Sequence, residues 1–119
     1  MVVDLVKSDT FSEAEADRVF HALSDSTRRD ILARAIQREQ SVSALARHYE
    51  ISLTAVQKHV AVLERAALIS KQRSGREQLV AANPETLRRA NTLLEAFEQL
   101  WIDRANRIAQ ILTEEGEAP

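Results

Sequence analysis

The side chains best suited to specific contact lie in one stretch, Ser52-Leu-Thr-Ala-Val-Gln-Lys-His-Val-Ala-Val-Leu63, which holds neither Gly nor Pro. Ser52 is a good helix N-cap, because its hydroxyl can accept a bond from an orphan N–H of the first turn. Val56, Val60 and Leu63 follow at i, i+4 and i+7, one face of a helix. The opposite face carries Leu53, Thr54, Gln57, Lys58 and Ala61. The chemistry such a face can do is recognition rather than bond making. Short side chains allow close approach to the floor of a DNA major groove, and Gln or Lys can bond base edges or phosphates. A solvated helix face has the same composition, so the surroundings of the stretch must decide.

Bond-making chemistry has little to draw on. The chain has no Cys, which excludes disulfides, thiolate metal sites and Cys nucleophiles. Its three His, at 21, 48 and 59, fall on three different predicted helices, so a metal site would need them gathered in space. Glu95, Glu98 and Asp103 could face one another across a dimer, but without imidazole or thiolate they make a poor transition-metal site. His21, Ser24 and Asp25 are close in sequence, yet Ser24 and Asp25 read as helix caps. No Gly-rich loop is present to cradle phosphates. Neither catalysis nor a metal or other cofactor is expected.

The 119 residues suit about one domain. With 45% hydrophobic and 29% charged residues and only two Gly and two Pro, a globular, mainly helical class is favoured. The start, Met1 to Lys7, lacks a basic segment followed by a long apolar run, and no run nears the roughly 18 apolar residues of a membrane span. A cytosolic protein with no membrane partner is expected. The net charge of −2 conceals a pattern: residues 1–20 carry −3, residues 21–82 carry +4 and residues 83–119 carry −3. A basic middle between acidic ends suits a local anion-binding face, although ordinary scatter of surface charge also produces such differences.

The elements that must position the opening stretch can be read in order. Residues 1–12 are expected to be flexible. A first helix is predicted from Glu13 to Leu23, with Ser12 and Glu15 forming a capping box and Ala16, Val19, Phe20 and Leu23 as its apolar stripe. Ser24-Asp25-Ser26-Thr27 supplies caps for a second helix reaching Ile36. There Ile31, Leu32 and Ala35 are expected inside, and Arg28, Arg29, Arg34 and Arg38 outside. Ser41-Val42-Ser43 caps a third helix, Ala44 to Tyr49, and Glu50-Ile51-Ser52 turns into the opening stretch, with Ile51 expected to plug the angle. Two short helices, a tight turn and a longer helix make a helix-turn-helix. Ile69–Arg73 and Glu77–Ala81 flank Ser74-Gly75-Arg76, a β-hairpin with a three-residue loop and Gly where φ must be positive.

Asn83-Pro84 restarts a helix that runs without interruption to about Glu115. Leu87, Ala90, Leu94, Phe97, Trp101, Arg104, Ile108 and Ile111 follow at alternating spacings of three and four, a heptad seam apolar at all but Arg104. Leu93, Leu100 and Leu112 widen it. So small a domain cannot cover this length of apolar surface, so a homodimer is expected, with the first helix as neighbour. A helix folded back on its own domain is the alternative. Glu114–Pro119 reads as an acidic tail.

Phe20-His-Ala-Leu-Ser-Asp-Ser-Thr-Arg-Arg-Asp-Ile-Leu32, Ser41-Val-Ser-Ala-Leu-Ala46, Val56-Gln-Lys-His-Val60 and Leu63-Glu-Arg-Ala-Ala-Leu-Ile69 together resemble an ArsR-type winged helix-turn-helix regulator. The likeness spans about residues 18 to 83, with four motifs in the right order and spacing. The long last helix with Trp101 is similar to a metal-independent branch of the family. Two departures stand out: Ser26 where the family usually has Pro, and Ala67 where it usually has Gly. Ala in a left-handed cap would be strained, unless the helix ends differently here.

The resemblance implies a mostly α fold with a small β-hairpin, residues 1–119 forming a single winged-helix domain. Residues 13–82 would be helices 1–4 and the wing, 83–115 a C-terminal dimerisation helix and 116–119 a tail. It implies a homodimeric transcription regulator, usually a repressor, whose partner is double-stranded DNA. Ser52, Thr54, Ala55, Gln57, Lys58 and His59 are the recognition-helix candidates. Lys71, Arg73 and Arg76 are the wing candidates. Arg28 has two uses open to it, bonding its own cap or touching a phosphate. Val19, Leu94, Phe97, Trp101, Ile108 and Ile111 are the dimer candidates. Two other functions use the same scaffold: a helical protein–protein adaptor, and a sensor binding a small-molecule effector between the first and last helices.

Overall fold

The computed structural model describes residues 11–116. The flexible start expected for residues 1–12 falls outside it up to residue 10, as do residues 117–119 of the tail. Five helices and three strands follow in the order α1 (Glu13–Leu23), α2 (Ser26–Gln37), β1 (Gln40–Ser41), α3 (Val42–Ala46), α4 (Leu53–Arg65), β2 (Ile69–Ser74), β3 (Glu77–Ala82) and α5 (Pro84–Gly116). The fold is mostly helical with one small antiparallel sheet.

Capping accounts for most of the helix starts. Ser12 accepts from Glu15 N–H and Glu15 answers by accepting from Ser12 N–H, the reciprocal capping box. Asp25 caps α2 through Arg28 N–H, Ser41 caps α3 through Ala44 N–H, and Ser52 caps α4 through Ala55 N–H. Because Ser41 itself is the cap, α3 begins at Val42 and ends at Ala46, earlier at both ends than the predicted Ala44–Tyr49. Phe11 was expected to be flexible. It is buried instead, with the Arg89 guanidinium 4.6 Å from its ring centre. Arg89 also bonds Glu15 at 3.2 Å, so the entry to α1 is tied to α5.

The core forms around α4. Val56, Val60 and Leu63 are wholly buried, against Val19 and Ala22 of α1, Ile31, Leu32 and Ala35 of α2, and Leu45 of α3. Full burial of each large aliphatic contributes roughly 1.5–3 kcal/mol. Val19, expected at a dimer surface, belongs instead to this core and is almost wholly buried within its own chain. Phe20, the next residue, is the one that α1 leaves exposed. Ile51 also departs from expectation. It is 42% exposed and so does not plug the helix-turn-helix angle, while Leu45 and Val56 on the two helices are wholly buried.

The wing is tighter and better supported than the sequence indicates. Ser74 pairs directly with Glu77, leaving a two-residue loop, Gly75-Arg76, instead of three residues. Gly75 has φ +62° and nothing within 4 Å of where a Cβ would stand, so the backbone angle alone demands glycine. β3 is the central strand, because Gln40 and Ser41 pair with Val80 and Leu79 on its other edge. A two-residue strand leaves no periodicity to read.

The end of α4 resolves the question raised by Ala67. Its φ is +59°, the left-handed region. Ala67 N–H donates to Glu64 O at 2.9 Å and Leu68 N–H to Leu63 O at 3.0 Å, the paired bonds of a Schellman cap. Leu63 and Leu68 add the accompanying buried contact. The strained residue is held from the other side too. Ala67 O accepts from the buried Thr86 Oγ1 at 2.6 Å and from Asn83 Nδ2 at 3.0 Å, while Asn83 N–H donates to Leu68 O. Ala67→Gly should stabilise the fold by about 0.5–1 kcal/mol. Relief of left-handed strain is worth about 1–2 kcal/mol, and glycine's extra freedom in the unfolded chain offsets about 0.4–1 kcal/mol of it. Urea denaturation at matched protein concentration measures the difference.

Candidate nucleic-acid interface

With one face of α4 sealed in the core, the other is held outward. Thr54, Gln57 and Lys58 are exposed, Ala55 is half-buried, and the Ser52 hydroxyl is engaged as the cap. The wing rises beside this face. Gln57 and Leu53 of α4, Val42 and Ser43 of α3, and Arg73, Arg76, Glu77 and Gln78 of the wing line a hollow of about 240 Å³. Arg73 Nε reaches back to Gly75 O at 3.3 Å, which steadies the turn that carries Arg76. The hollow thus combines two guanidinium groups and the Glu77 carboxylate with amide and hydroxyl groups. That set bonds phosphate oxygens and base edges. Ser43 and Gln78 were not among the sequence candidates; Ser43 reads there as part of a cap run, and an edge residue such as Gln78 has no local signal of where it faces.

Other candidates are used within the protein. Lys71 Nζ lies 3.4 Å from Glu64 Oε1, joining the wing to the end of α4. Arg28 was expected to face outward. It is half-buried and donates to Ala22 O at 2.9 Å and His21 O at 3.0 Å, the carbonyls ending α1. Its Nη1 lies 3.3 Å from His59 Nδ1, and Asp25 Oδ2 lies 3.9 Å from the same nitrogen. Arg28 N–H holds the Asp25 carboxyl below its usual range. Asp25, Arg28 and His59 therefore form a joint that binds the end of α1 and the start of α2 to the middle of α4. Among the described residues no three His, Cys, Asp or Glu side chains converge as a metal site would require, and no helix is long and apolar enough to cross a membrane.

The comparisons with known proteins meet this geometry. A helix-turn-helix domain model matches residues 23–72, from the end of α1 to β2. The HTH-type transcriptional regulator Rv2034 of Mycobacterium tuberculosis is 33% identical over 101 residues, 85% of this chain and 92% of the relative. An ArsR-like transcriptional regulator from Rhodococcus sp. RHA1 superposes with a TM-score of 0.74 at 36% identity, covering 82% of this chain and 92% of that one. The chain belongs to the ArsR-type winged helix-turn-helix transcriptional regulators. A further structural neighbour is a homodimeric winged helix-turn-helix DNA-binding domain from Mycobacterium bovis, described as a possible ArsR-family regulator. It has a TM-score of 0.59 at 26% identity and covers 76% of this chain and 80% of its own.

Both departures from the ArsR pattern are accommodated. Ser26 occupies the first position of α2 behind the Asp25 cap, where no backbone donor is required of it. Ala67 takes the left-handed angle that glycine would take more easily. The turn between α3 and α4 has its own anchor, since Tyr49 Oη donates to Asp30 Oδ2 on α2, which also accepts from Arg34 Nε at 2.8 Å. Those two bonds hold the Asp30 carboxyl below its usual range. Burial and the bond to Asp30 push the Tyr49 phenol from 10 up to about 12. A raised phenol pKa favours the fold below pH 10, and that contribution fades as pH rises through about 12. Tyr49 is the chain's one tyrosine, so phenolate absorbance reports it alone. Its titration should centre well above pH 10, and Asp30→Asn should move it down.

Proposed function

We propose that this ArsR-type chain is a dimeric, sequence-specific DNA-binding repressor acting in the bacterial cytosol at the nucleoid. The observation that carries this is the placing of Gln57 of α4 with Arg73 and Arg76 of the wing around one open hollow, with Lys58 exposed on the same helix. α4 enters the major groove, where Gln57 and Lys58 meet base edges and nearby phosphates. The wing arginines take the flanking backbone. Asp25, Arg28 and His59 act by orienting α4 rather than by touching DNA.

The dimer half of the proposal rests on α5. A helix of 33 residues is about 50 Å long. Its first turns pack on the domain through Thr86, Ala90 and Leu93. The same stripe then continues uncovered through Leu94, Phe97, Leu100, Trp101, Ile108 and Ile111, with Trp101 66% exposed. Exposed apolar surface of this extent is the mark of an interface. Phe20 of α1 adds to it. A twofold pairing through α1 and α5 sets two α4 helices about 34 Å apart, one turn of DNA, and calls for an imperfect palindrome. Repression follows where that operator overlaps a promoter, by exclusion of polymerase. A small-molecule effector seated between α1 and α5 would extend this reading, and ligand-dependent release from DNA is its mark.

Selection of bound sequences from random DNA with the purified protein tests the proposal, and half-site symmetry in the selected pool is the expected result. Lys58→Ala with Arg76→Ala should weaken binding to the selected site roughly tenfold or more. It should also flatten the salt dependence by about one unit of slope for each phosphate that is no longer neutralised. Unchanged retention at moderate salt would sink the DNA reading. Phe97→Glu with Trp101→Glu should convert the dimer to monomer in sedimentation velocity while helical content is kept, and half-site binding should weaken with it.

A further inference from the structure

Leu53 is the first residue of α4 and is 47% exposed, although the helix around it supplies the core. Val56 and Val60, one and two turns on, are wholly buried, whereas Leu53 at the very start of the helix lies beyond the core. A single exposed leucine is ordinary on a protein surface. The setting of this one is not. It shares a face with Gln57, four residues on, and both line the hollow whose further walls include Val42, Ser43, Arg73 and Arg76. The hollow therefore offers apolar surface from Leu53 and Val42, an amide from Gln57 and, from the wing, two guanidinium groups beside the Glu77 carboxylate.

Duplex DNA has a matching set of groups. Thymine alone among the four bases presents a methyl group in the major groove, and a Gln amide fits the paired acceptor and donor of adenine. The first turn of a helix lying in the groove is the part that reaches base edges. Resting on the DNA-binding function proposed above, we infer that Leu53 is a specificity residue. It packs on the C5-methyl of a thymine, while Gln57 bonds the adenine of the same or the neighbouring pair. Each half-site then carries an A·T pair beneath the start of α4, recognised by contact as well as by groove shape. Leu53 needs no role in stability for this, since alanine at the same helical position is at least as favourable.

The test uses the full chain and the DNA it selects from a random pool. Each thymine of that site is replaced in turn by deoxyuridine, which removes only the methyl, and affinity is followed by fluorescence anisotropy at fixed salt. One thymine per half-site should lose about fourfold in affinity with the wild-type protein, the effect of one apolar carbon group withdrawn from the interface. Leu53→Ala should bind the thymine and deoxyuridine sites equally, and Leu53→Met should restore the preference. Circular dichroism should show both variants folded. If Leu53→Ala keeps the wild-type penalty for deoxyuridine, or if no thymine methyl matters to the wild type, the assignment to Leu53 is overturned while DNA binding stands. If the wild type selects no DNA at all, the function itself fails and this inference with it.

Discussion

Everything that faces outward from α4 depends on what its inner face buries. Val56, Val60 and Leu63 leave no exposed surface, and they meet side chains from α1, α2 and α3 together. A helix held on one stripe from three directions has no freedom to roll. The backbone positions of Gln57 and Lys58 face outward for that reason, although neither side chain makes a bond of its own. Polar joints refine the same placement. Arg28 ties the carbonyl end of α1 to His59 on α4, and Tyr49 ties the turn ahead of α4 to Asp30 on α2. Apolar burial supplies the energy of docking, and the directional bonds set its angle.

The second constraint is at the other end of α4. Ala67 adopts a left-handed angle that costs an L-residue about 1–2 kcal/mol, and the structure surrounds it with acceptors and donors that leave no alternative. Its carbonyl is bonded by Asn83 and Thr86, the residues that begin α5. The end of the reading helix and the start of the long helix are thus one hydrogen-bonded unit. The wing is anchored there as well, through Lys71 and Glu64. Three elements of the proposed machine, reader, wing and dimer helix, meet within a few residues of a strained alanine.

Much of this was legible in the chain itself. Helix starts after Ser12 and Ser52 follow from short-range capping, which depends on residues three apart, whereas in the cap run Ser41-Val42-Ser43 only the structure shows that Ser41 is the cap. The buried stripe of α4 follows from its spacing, and the turn at Gly75 from a glycine set between two strand-like runs. The less legible parts all required distant partners. The strand Gln40–Ser41 exists because β3 lies alongside it. Ile51 looked like a plug, but the buried positions at that corner belong to Leu45 and Val56, and Ile51 stays exposed. Val19 and Phe20 are adjacent apolar residues on α1, and no local pattern says which one the core will claim.

The sequence by itself determined that one face of Ser52–Leu63 would be apolar and the other polar, because helical periodicity is a local property of the chain. It also determined that α5 would carry more apolar surface than one small domain can cover. Tertiary structure decided what each polar group is for. Arg28, which looked like a surface base, became a clamp on carbonyls, while Arg73 and Arg76 remained at the rim of the open hollow. The difference is geometric. A guanidinium bonds whatever acceptors the fold brings within about 3 Å, and the α1 carbonyls come within reach of Arg28 only after α1 and α2 have packed.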